Sequence, residues 1–258
     1  MLKTLEQPDA IVATSFDPFT CYEGIKYAKK HGIKAIAEIA DLWPETLVAY
    51  NGVNVKNPAV RYLRYVEKKI YTMADRIVFT MEGAYDYIKE QHWEKEVPKD
   101  KVEFINNGID LELFDYNRET FVTDDDDLKD ENSFKVIYTG AIRRVNNLGI
   151  LINAAKKIKN DKIRFLIWGD GDDLVSLKER ITKENIKNVV FKGRVQKKYI
   201  PYITSCADLN IIHGQSSPIM RFGLSLNKMF DYLAAGRPIL IDFSSPYNPA
   251  KDCNACVE

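Results

Sequence analysis

The sequence predicts an α/β fold built on parallel sheets, and three observations support this prediction. Short runs of apolar, mostly β-branched residues alternate along the chain with segments of helical periodicity. Each run is almost continuously apolar, as expected for strands that helices cover on both faces. One polar, acidic stretch interrupts the alternation and divides the runs into two groups. The pattern therefore indicates two parallel sheets.

Four predicted strands precede the acidic stretch. They are "AIVATS" (10–15), "KAIAEIA" (34–40), "RIVFT" (76–80) and "KVEFI" (101–105). The segments between them have helical spacing, most clearly in "AVRYLRYVEKKIYTMA", where apolar residues recur at Val60, Leu63, Val66 and Ile70. This apolar face is expected to pack on the first sheet.

Five predicted strands follow the acidic stretch. They are "FKVIYTG" (134–140), "IRFLIWG" (163–169), "VVFKG" (189–193), "LNIIHG" (209–214) and "RPILIDF" (237–243). The chain starts almost directly in a strand and ends at "CNACVE" as another strand begins, so we expect a partial version of a longer protein. We predict a first domain over residues 1–116, incomplete at its N-terminus, an exposed acidic linker over 117–133, and a second domain over 134–258, incomplete at its C-terminus.

The composition argues against several classes of function. Lys plus Arg and Asp plus Glu both total 37, so no net charge points to nucleic acid as a partner. No apolar run reaches the roughly 18 residues that a membrane span needs, and no signal peptide opens the chain, so we expect a cytoplasmic protein. The pair Cys253 and Cys256 and the acidic run Asp124–Asp127 could bind a metal, but ordinary thiols and a solvated linker are the favoured interpretations.

A first candidate for ligand binding follows the first strand of the second group. "YTGAIRRVNNLGILINAAKKI" (138–158) reads as a strand, a tight turn at Gly140 and a helix, with Arg143 and Arg144 in the loop. Ligands bind at the carboxyl ends of parallel strands, and loop amides with guanidinium groups suit phosphate. The alternative is that both arginines are solvated surface residues. The Gly-x-Gly of "WGDGDD" (168–173) lacks a third glycine, which argues against nicotinamide or flavin binding.

A second candidate is "FGLSLNKMFDYLAAGRP" (222–238), which predicts a short helix with Ser225 as its N-cap and an end at Gly236. Lys228 then falls in the first turn, where the helix dipole disfavours a cation. A bound anion would turn this cation from a misfit into a partner, beside the donors of Ser225 and Asn227.

Asp231 lies one turn further along this predicted helix, four residues after Asn227. Its carboxylate could accept two sugar hydroxyl groups, as carboxylates do for ribose in other nucleotide sites. The alternative is an ion pair with Lys228 across the helix surface.

The order of seven segments resembles that of retaining glycosyltransferases of family 4. The segments are "ADLWPE" (40–45), "MADRIVFTMEGAYDYI" (73–88), "VEFINNGIDLELF" (102–114), "YTGAIRRVNNLGILINAA", "FLIWGDGDDLVSLKE" (165–179), "NVVFKGRVQKKYIPYITSCADLNIIHG" (188–214) and "FGLSLNKMFDYLAAGRPIL". The "DLWPE" and "SLNKMFDYLAAG" forms resemble the branch that builds bacterial surface polysaccharides, including N-acetyl-L-fucosamine transferases. The resemblance covers nearly the whole chain.

The resemblance implies a GT-B architecture, in which two Rossmann-like domains face each other over a cleft. The nucleotide sugar would bind mainly to the second domain and the acceptor to the first. Asp231 matches the second acidic position of the family's E-x7-E motif, which usually holds the donor ribose. Residues Ser225–Lys228 would lie on the diphosphate, and the backbone of Val195 near the base.

The same resemblance assigns a catalytic position to Asp41 of "DLWPE". Asp41 follows a predicted strand at the cleft edge, where the family often has a histidine next to the reacting sugar. There it would orient the acceptor or polarise the sugar. The alternative is an N-cap or turn residue before Pro44.

Three positions depart from the family pattern. Gly223 occupies the place of the first acidic residue of E-x7-E, which puts a carboxylate contact to the transferred sugar in doubt. The usual Arg and Lys of the "YTG" loop fall on Ala141 and Asn146, which leaves Arg143 and Arg144 as substitutes. About three strands of the first domain, with its glycine-rich loop, and the last strand and helices of the second are also expected to be missing.

The expected function is that of a hexosyltransferase that retains anomeric configuration. It would take the sugar from a nucleotide-diphosphate donor, expected to be UDP-linked, and use no metal. The acceptor would be a glycan or a lipid-linked molecule of cell-surface polysaccharide synthesis. The alternatives are an inactive remnant, a nucleotide-sugar-binding partner subunit, and a nucleotide-sugar epimerase. The absence of a strong set of acid and base residues in the sequence argues against the epimerase.

A peripheral contact with anionic membrane is a further possible partnership. The helix from 59 to 72 has a basic side formed by Arg61, Arg64, Lys68 and Lys69, which could rest on anionic lipid head groups. The alternative is a plain solvated helix face.

Overall fold

The computed structural model describes residues 7–257, and it confirms the predicted parallel α/β fold. Within that range the strands form two parallel sheets with helices between successive strands. Every one of the nine predicted strands is present, most of them shorter by one to three residues at their ends. A tenth strand forms at the "CNACVE" end, where Cys256 and Val257 pair with Ile239 and Leu240.

The first sheet has the strand order β1-β2-β3-β4. Its strands are β1 (Ala10–Thr14), β2 (Lys34–Ile39), β3 (Arg76–Phe79) and β4 (Val102–Phe104). Its helices are α1 (Pro18–Lys30), α2 (Glu45–Asn51), α3 (Pro58–Met73) and α4 (Ala84–Glu90). Asp17 caps α1 by accepting hydrogen bonds from the backbone of Phe19 and Thr20, and Asn57 caps α3 in the same way. In both helices a proline occupies the first turn, where its missing N–H costs nothing.

The second sheet has the strand order β10-β9-β8-β5-β6-β7. Its strands are β5 (Phe134–Thr139), β6 (Ile163–Trp168), β7 (Val189–Gly193), β8 (Leu209–Ile212), β9 (Ile239–Ile241) and β10 (Cys256–Val257). Its helices are α5 (Leu111–Thr120), α6 (Asp126–Lys129), α7 (Leu148–Lys157), α8 (Leu174–Lys183), α9 (Ile200–Ser205), α10 (Asn227–Ala234) and α11 (Pro249–Asp252). The strand order reverses at β5, since β6 pairs on one side and β8 on the other. In open α/β sheets such a switch point opens a crevice at the carboxyl ends of the strands.

Each sheet has its own apolar core. Ile39, Ile77 and Phe79 are buried between the first sheet and its helices, and Tyr138, Ile152 and Ile167 occupy the same position in the second. The contacts between residues divide the chain into two compact units. The first unit runs to Asn106 and also contains Ser217–Ser225 and Ser245–Tyr247. The rest of the chain forms the other unit.

The segment between the two sheets differs from the predicted exposed linker over 117–133. α5 runs through the predicted boundary at 116 and packs with the second unit, which begins at Asn107. α6 also lies in this segment, where Asp125 and Asp127 form ion pairs with Lys192. Both carboxylates are half-buried against the second sheet. Lys192 of strand β7 supplies the positive charge that offsets the cost of removing them from water.

The helices carry no candidate membrane span. Among residues 7–257, none is both long enough and apolar enough to cross a bilayer.

Candidate functional site

The loops that follow β5, β6 and β7 line a pocket at the carboxyl edge of the second sheet. Its volume is about 710 Å³. Its lining includes Gly140 and Arg143 after β5, Gly169 and Asp170 after β6, and Arg194, Val195 and Lys197 after β7. Gly140, Arg143 and Val195 were predicted from the sequence, and the structure brings them together here.

Two glycines let the loops of this pocket approach each other. Gly169 has φ +153°, and a Cβ atom there would lie 1.8 Å from the carbonyl oxygen of Gly140. Gly171 has φ +158°, and its Cβ would lie 2.3 Å from the carbonyl oxygen of Ile142. Any side chain would therefore force the two loops apart. This contact is the structural reason for the "WGDGDD" glycines, which do not form a dinucleotide-binding motif.

Lys228 reaches the edge of this pocket from the first turn of α10. Its Nζ donates a hydrogen bond of 3.1 Å to the Tyr138 hydroxyl and lies 4.3 Å from the centre of that ring. A Cβ atom on Gly140, which lines the pocket, would lie 2.9 Å from Nζ, so the ammonium group packs against Gly140. The absence of a side chain at Gly140 is what leaves room for it.

The ammonium group of Lys228 has little to compensate its burial. Among residues 7–257, no carboxylate forms an ion pair with it. Burial lowers the pKa of Lys228 to about 8, because removal from water disfavours the charged form. The predicted alternative, an ion pair between Lys228 and Asp231, is therefore not formed.

A second pocket, of about 460 Å³, lies beside the first in the same unit. Asn227 and Asp231 of α10 line it together with Lys198, and Lys197 lines both pockets. Burial raises the pKa of the Asp231 carboxyl group, and the positive charge of Lys197 opposes that rise. Asp231 is thus a half-buried acceptor on the wall of a polar pocket.

The start of α10 corrects the prediction for Ser225 as the N-cap. The helix begins at Asn227, Leu226 is the N-cap residue, and no described side chain caps the helix. Leu224 is buried in the first unit and its carbonyl oxygen accepts a hydrogen bond from Asn106 Nδ2. The chain therefore stays extended through Leu226, and Ser225 belongs to the first unit.

The two arginines of the "YTG" loop are placed differently. Arg143 lines the larger pocket, whereas Arg144 is exposed in the short 3-10 helix Arg144–Asn146 and does not line it. Sequence reasoning could not distinguish them because adjacent loop residues share the same composition signal.

Asp41 lies in the bend between β2 and α2 of the first unit. Its backbone is held by Ser15, whose hydroxyl donates to the Asp41 carbonyl oxygen at 3.2 Å. Partial burial raises the pKa of the Asp41 carboxyl group. Pro44 is the N-cap of α2, so the N-cap alternative for Asp41 is wrong and the turn position remains.

Several residues of the two pockets were missed at the level of sequence. They are Trp168, Asp170, Arg194 and Lys197, to which Tyr138 is added as the hydrogen-bond partner of Lys228. Trp168 ends β6, and Asp170, Arg194 and Lys197 lie in the loops after β6 and β7, at the edge where parallel sheets bind ligands; this position is the signal that could have identified them.

Metal binding has no candidate site in the part of the chain that the structure describes. It contains no group of three His, Cys, Asp or Glu side chains that could hold a metal ion.

Comparisons with known proteins agree with this fold. Residues 1–113 match the family model described as Glycosyltransferase Family 4, and residues 121–241 match the one described as Glycosyl transferases group 1. A crystal structure of Anabaena Alr3699/HepE in complex with UDP resembles the chain with a TM-score of 0.64. That match has 15% identity and covers 96% of this chain and 62% of the other.

Two bacterial relatives have similar sequences over 212 residues. The chain is 25% identical to the probable glycosyltransferase WbjE of Pseudomonas aeruginosa, over 81% of this chain and 51% of WbjE. It is 24% identical to the putative teichuronic acid biosynthesis glycosyltransferase TuaH of Bacillus subtilis (strain 168), over 80% of this chain and 50% of TuaH. The chain thus spans about half the length of the curated relatives it matches.

The two Rossmann-like units, with a polar pocket at the carboxyl edge of the second sheet, define a protein of the GT-B fold class. Within that class, the chain joins a segment that matches the family 4 model, residues 1–113, to a segment that matches the group 1 model, residues 121–241.

Proposed function

We propose that this protein transfers a sugar from a nucleotide-diphosphate donor, with UDP as the nucleotide, to a glycan or lipid-linked acceptor. The reaction would retain anomeric configuration and serve cell-surface polysaccharide synthesis in the cytoplasm or at the inner face of the membrane. Two kinds of comparison support this proposal. HepE has been crystallised with UDP and with UDP-glucose, and TuaH is named for teichuronic acid biosynthesis.

The observation that carries the proposal is the position of Lys228. Its side chain is partly buried, lies in the first turn of a helix and has no carboxylate partner in the described chain. Burial and the helix dipole both disfavour a cation there. A bound diphosphate would supply the missing negative charge, and it would also accept hydrogen bonds from the uncapped N–H groups of α10. The site is therefore best explained as half of an ion pair.

The remaining donor contacts follow from the two pockets. Arg143 and the Gly140 loop would share the diphosphate with Lys228, and the backbone of Val195 would contact the base. Asp231 would accept hydrogen bonds from the ribose hydroxyls in the smaller pocket. Lys197, which lines both pockets, would lie between base and ribose. Ser225, Asn227 and Arg144 remain predicted donor contacts.

The chemistry requires cleavage of the bond between the anomeric carbon and the diphosphate oxygen. Lys228 and Arg143 would stabilise the charge that develops on the leaving diphosphate, the task that a divalent metal performs in other glycosyltransferases. The acceptor hydroxyl oxygen would form the new bond on the same face of the sugar, and its proton would pass to the leaving oxygen. We propose that Asp41 orients the acceptor hydroxyl, so that Asp41→Asn lowers kcat while the affinity for UDP stays unchanged.

The test is isothermal titration of the chain with UDP, GDP, CDP and ADP, each with and without EDTA. We expect UDP to bind with the highest affinity and EDTA to leave that affinity unchanged. UDP release from UDP-glucose in the presence of a glycan acceptor then measures transfer. Failure of all four nucleotides to bind would overturn the proposal, and loss of UDP binding in EDTA would overturn the metal-free part of it.

A nucleotide-sugar-binding protein without transfer activity is the second candidate, and Gly223 favours it. Gly223 has φ +118°, and a Cβ atom there would lie 3.2 Å from the backbone nitrogen of Glu82. The first acidic position of the family motif therefore has a backbone that disfavours any side chain. UDP binding without release of UDP from any UDP-sugar tested would support this candidate.

Membrane contact through α3 is proposed from its remaining basic residues. Arg64 is bonded to Glu45 and Gln91, and Lys68 pairs with Glu96, so these two cations are engaged. Arg61 and Lys69 are exposed beside Tyr62 and Tyr65, a combination that suits an anionic interface. Flotation with anionic and with neutral vesicles tests this contact, and equal recovery with both would contradict it.

A further inference from the structure

His213 is a buried titratable residue that the proposed donor chemistry does not use. It follows β8, and its side chain is fully enclosed. Both ring nitrogens have partners. Nδ1 contacts the carboxylate of Asp242, which follows β9, and Nε2 lies 2.9 Å from the backbone carbonyl oxygen of Asn147. The other carboxylate oxygen of Asp242 accepts from the backbone of Gly214 at 3.4 Å.

The partners determine the protonation of the ring. A carbonyl oxygen only accepts hydrogen bonds, so Nε2 must carry a proton to bond Asn147. An ionised carboxylate also only accepts, so Nδ1 must carry a proton to bond Asp242. The arrangement therefore fits an imidazolium ion. Burial lowers the pKa of His213, but the hydrogen bonds to Asp242 and Asn147 outweigh burial and raise it above its ordinary value of 6.5.

The bond to Asn147 matters because of where Asn147 lies. It is the N-cap residue of α7 and has a left-handed backbone, with φ 49° and ψ 44°. It also ends the loop that starts at Gly140 and carries Arg143 into the larger pocket. Asparagine adopts this left-handed conformation more readily than most non-glycine residues, and a hydrogen bond to its carbonyl group fixes the peptide orientation further. His213 provides that hydrogen bond.

The charged groups that face His213 come from two elements. Asp242, after β9, pairs with the ring, and the charge of Lys228 on α10 opposes its protonation. Protonated His213 and Lys228 thus repel each other, and of these two cations His213 has a carboxylate partner, Asp242. Loss of the His213 proton would leave the Asp242 carboxylate without the positive charge that it faces.

We propose that His213 is a positioning residue for the donor diphosphate, which holds the Gly140–Asn147 loop in its binding conformation and neutralises Asp242 behind Lys228. This inference rests on the proposed function, since it assigns a role within the same site. It implies that UDP affinity falls as pH rises and His213 loses its proton.

The substitution His213→Gln distinguishes the effect of the hydrogen bond to Asn147 from the effect of the positive charge on the ring. A glutamine amide can still donate one hydrogen bond to Asn147, but it cannot carry a charge or titrate. We measure UDP affinity by calorimetry from pH 6 to pH 8 for the native chain and this variant. The expected result is an affinity about tenfold lower than that of the native chain at pH 6, as for a lost charge-assisted interaction, with a flatter pH profile.

Two controls accompany this measurement. His31→Gln replaces an exposed histidine in the first unit and should keep the native pH profile. Thermal unfolding of each variant shows whether the fold survives. Nitrogen-15 NMR of the native chain at pH 6.5 should show both ring nitrogens of His213 protonated.

The outcomes distinguish this inference from the proposed function. A neutral His213 ring, or a His213→Gln variant with the native affinity and pH profile, would overturn the positioning role while UDP binding by the native chain upholds the function. Absence of UDP binding by the native chain at every pH would overturn both. If His213→Gln fails to fold, the protonation state of the His213 ring in the native chain decides between the two outcomes.

Discussion

Glu67 in the first unit is a buried acidic side chain, and Lys228 in the second is a partly buried basic one. Burial shifts the pKa of each to about 8, upward for the carboxyl group and downward for the ammonium group. Glu67 on α3 is enclosed and accepts hydrogen bonds from the hydroxyls of Tyr71 at 2.9 Å and Tyr87 at 2.7 Å. Lys228 has one phenol hydroxyl and the edge of an open pocket.

The difference teaches that a perturbed pKa does not by itself mark a functional site. The Glu67 oxygens are satisfied within the core, and their partners Tyr71 and Tyr87 are themselves buried. Such a closed network specifies packing and leaves no room for a ligand. Lys228 has no carboxylate partner among residues 7–257 and packs against Gly140 of the larger pocket, so its shift fits a missing ionic partner. Variants of the two residues should therefore differ in which property they change.

The largest effect is expected for Lys228→Met, which removes the ammonium group and keeps an apolar stem. UDP affinity should fall about 100-fold, or about 2.7 kcal/mol, because a charge-assisted contact to phosphate is lost in a site partly removed from water. The free energy of unfolding should stay equal or rise, since the uncompensated charge disappears. Calorimetry and urea denaturation measure the two quantities. Lys156→Met, at an exposed ion pair with Glu184, is the control, and an equal loss in both variants would contradict the assignment.

The second effect is expected for Glu67→Ala, which removes the acceptor of two buried tyrosine hydroxyls. The free energy of unfolding should fall by about 2 kcal/mol, because a cavity forms and both hydroxyls lose their partner. UDP affinity should remain that of the native chain. Glu67→Gln keeps an acceptor oxygen of the same shape and should recover most of the stability. Weakened UDP binding in a folded Glu67→Ala chain would contradict the assignment of Glu67 to packing and of Lys228 to ligand binding.

Some elements of the fold and of the candidate site can be predicted from the sequence and others cannot. The strands follow from the sequence because both faces of a parallel sheet are buried, so each strand is a continuous apolar run. The anomaly at Lys228 was also visible, since a cation in a first helical turn violates the dipole rule. Its partner Tyr138 was not, because the two residues are 90 positions apart and meet only after the sheet has formed.

Other features depend on tertiary contacts that no local pattern contains. Asp125 and Lys192 are 67 positions apart, and without that pairing the acidic run reads as a solvated linker. Ser225 has the composition of an N-cap, but burial of Leu224 delays the helix to Asn227. In both cases a weak local preference yields to packing, which involves more free energy than one cap or one surface charge.

The change of stability with pH should have opposite signs for Glu67 and Lys228. Between the ordinary Glu value of 4.5 and about 8, the unfolded chain has lost the Glu67 proton and the folded chain keeps it, so stability falls as pH rises. Between about 8 and the ordinary Lys value of 10.5, the unfolded chain keeps the Lys228 proton and the folded chain has lost it, so stability rises with pH.

Each group contributes at most about 1.4 kcal/mol per pH unit within its window. Urea denaturation at several pH values gives these slopes. Glu67→Gln should remove the Glu67 contribution below pH 8 only, and Lys228→Met the Lys228 contribution above pH 8 only. A variant that altered the slope in the other residue's window would show that the two sites are coupled.

The smallest effect is expected in the comparison of Arg143→Ala with Arg144→Ala. Arg143 lines the larger pocket and Arg144 does not, although they are adjacent and carry the same charge. Loss of Arg143 should weaken UDP binding about fivefold, whereas loss of Arg144 changes only the long-range field, which salt screens. Calorimetry at low and at physiological ionic strength tests this difference. If both variants lose the same affinity at low salt and neither does at physiological salt, the arginines act through net charge, and Lys228 alone forms the direct contact.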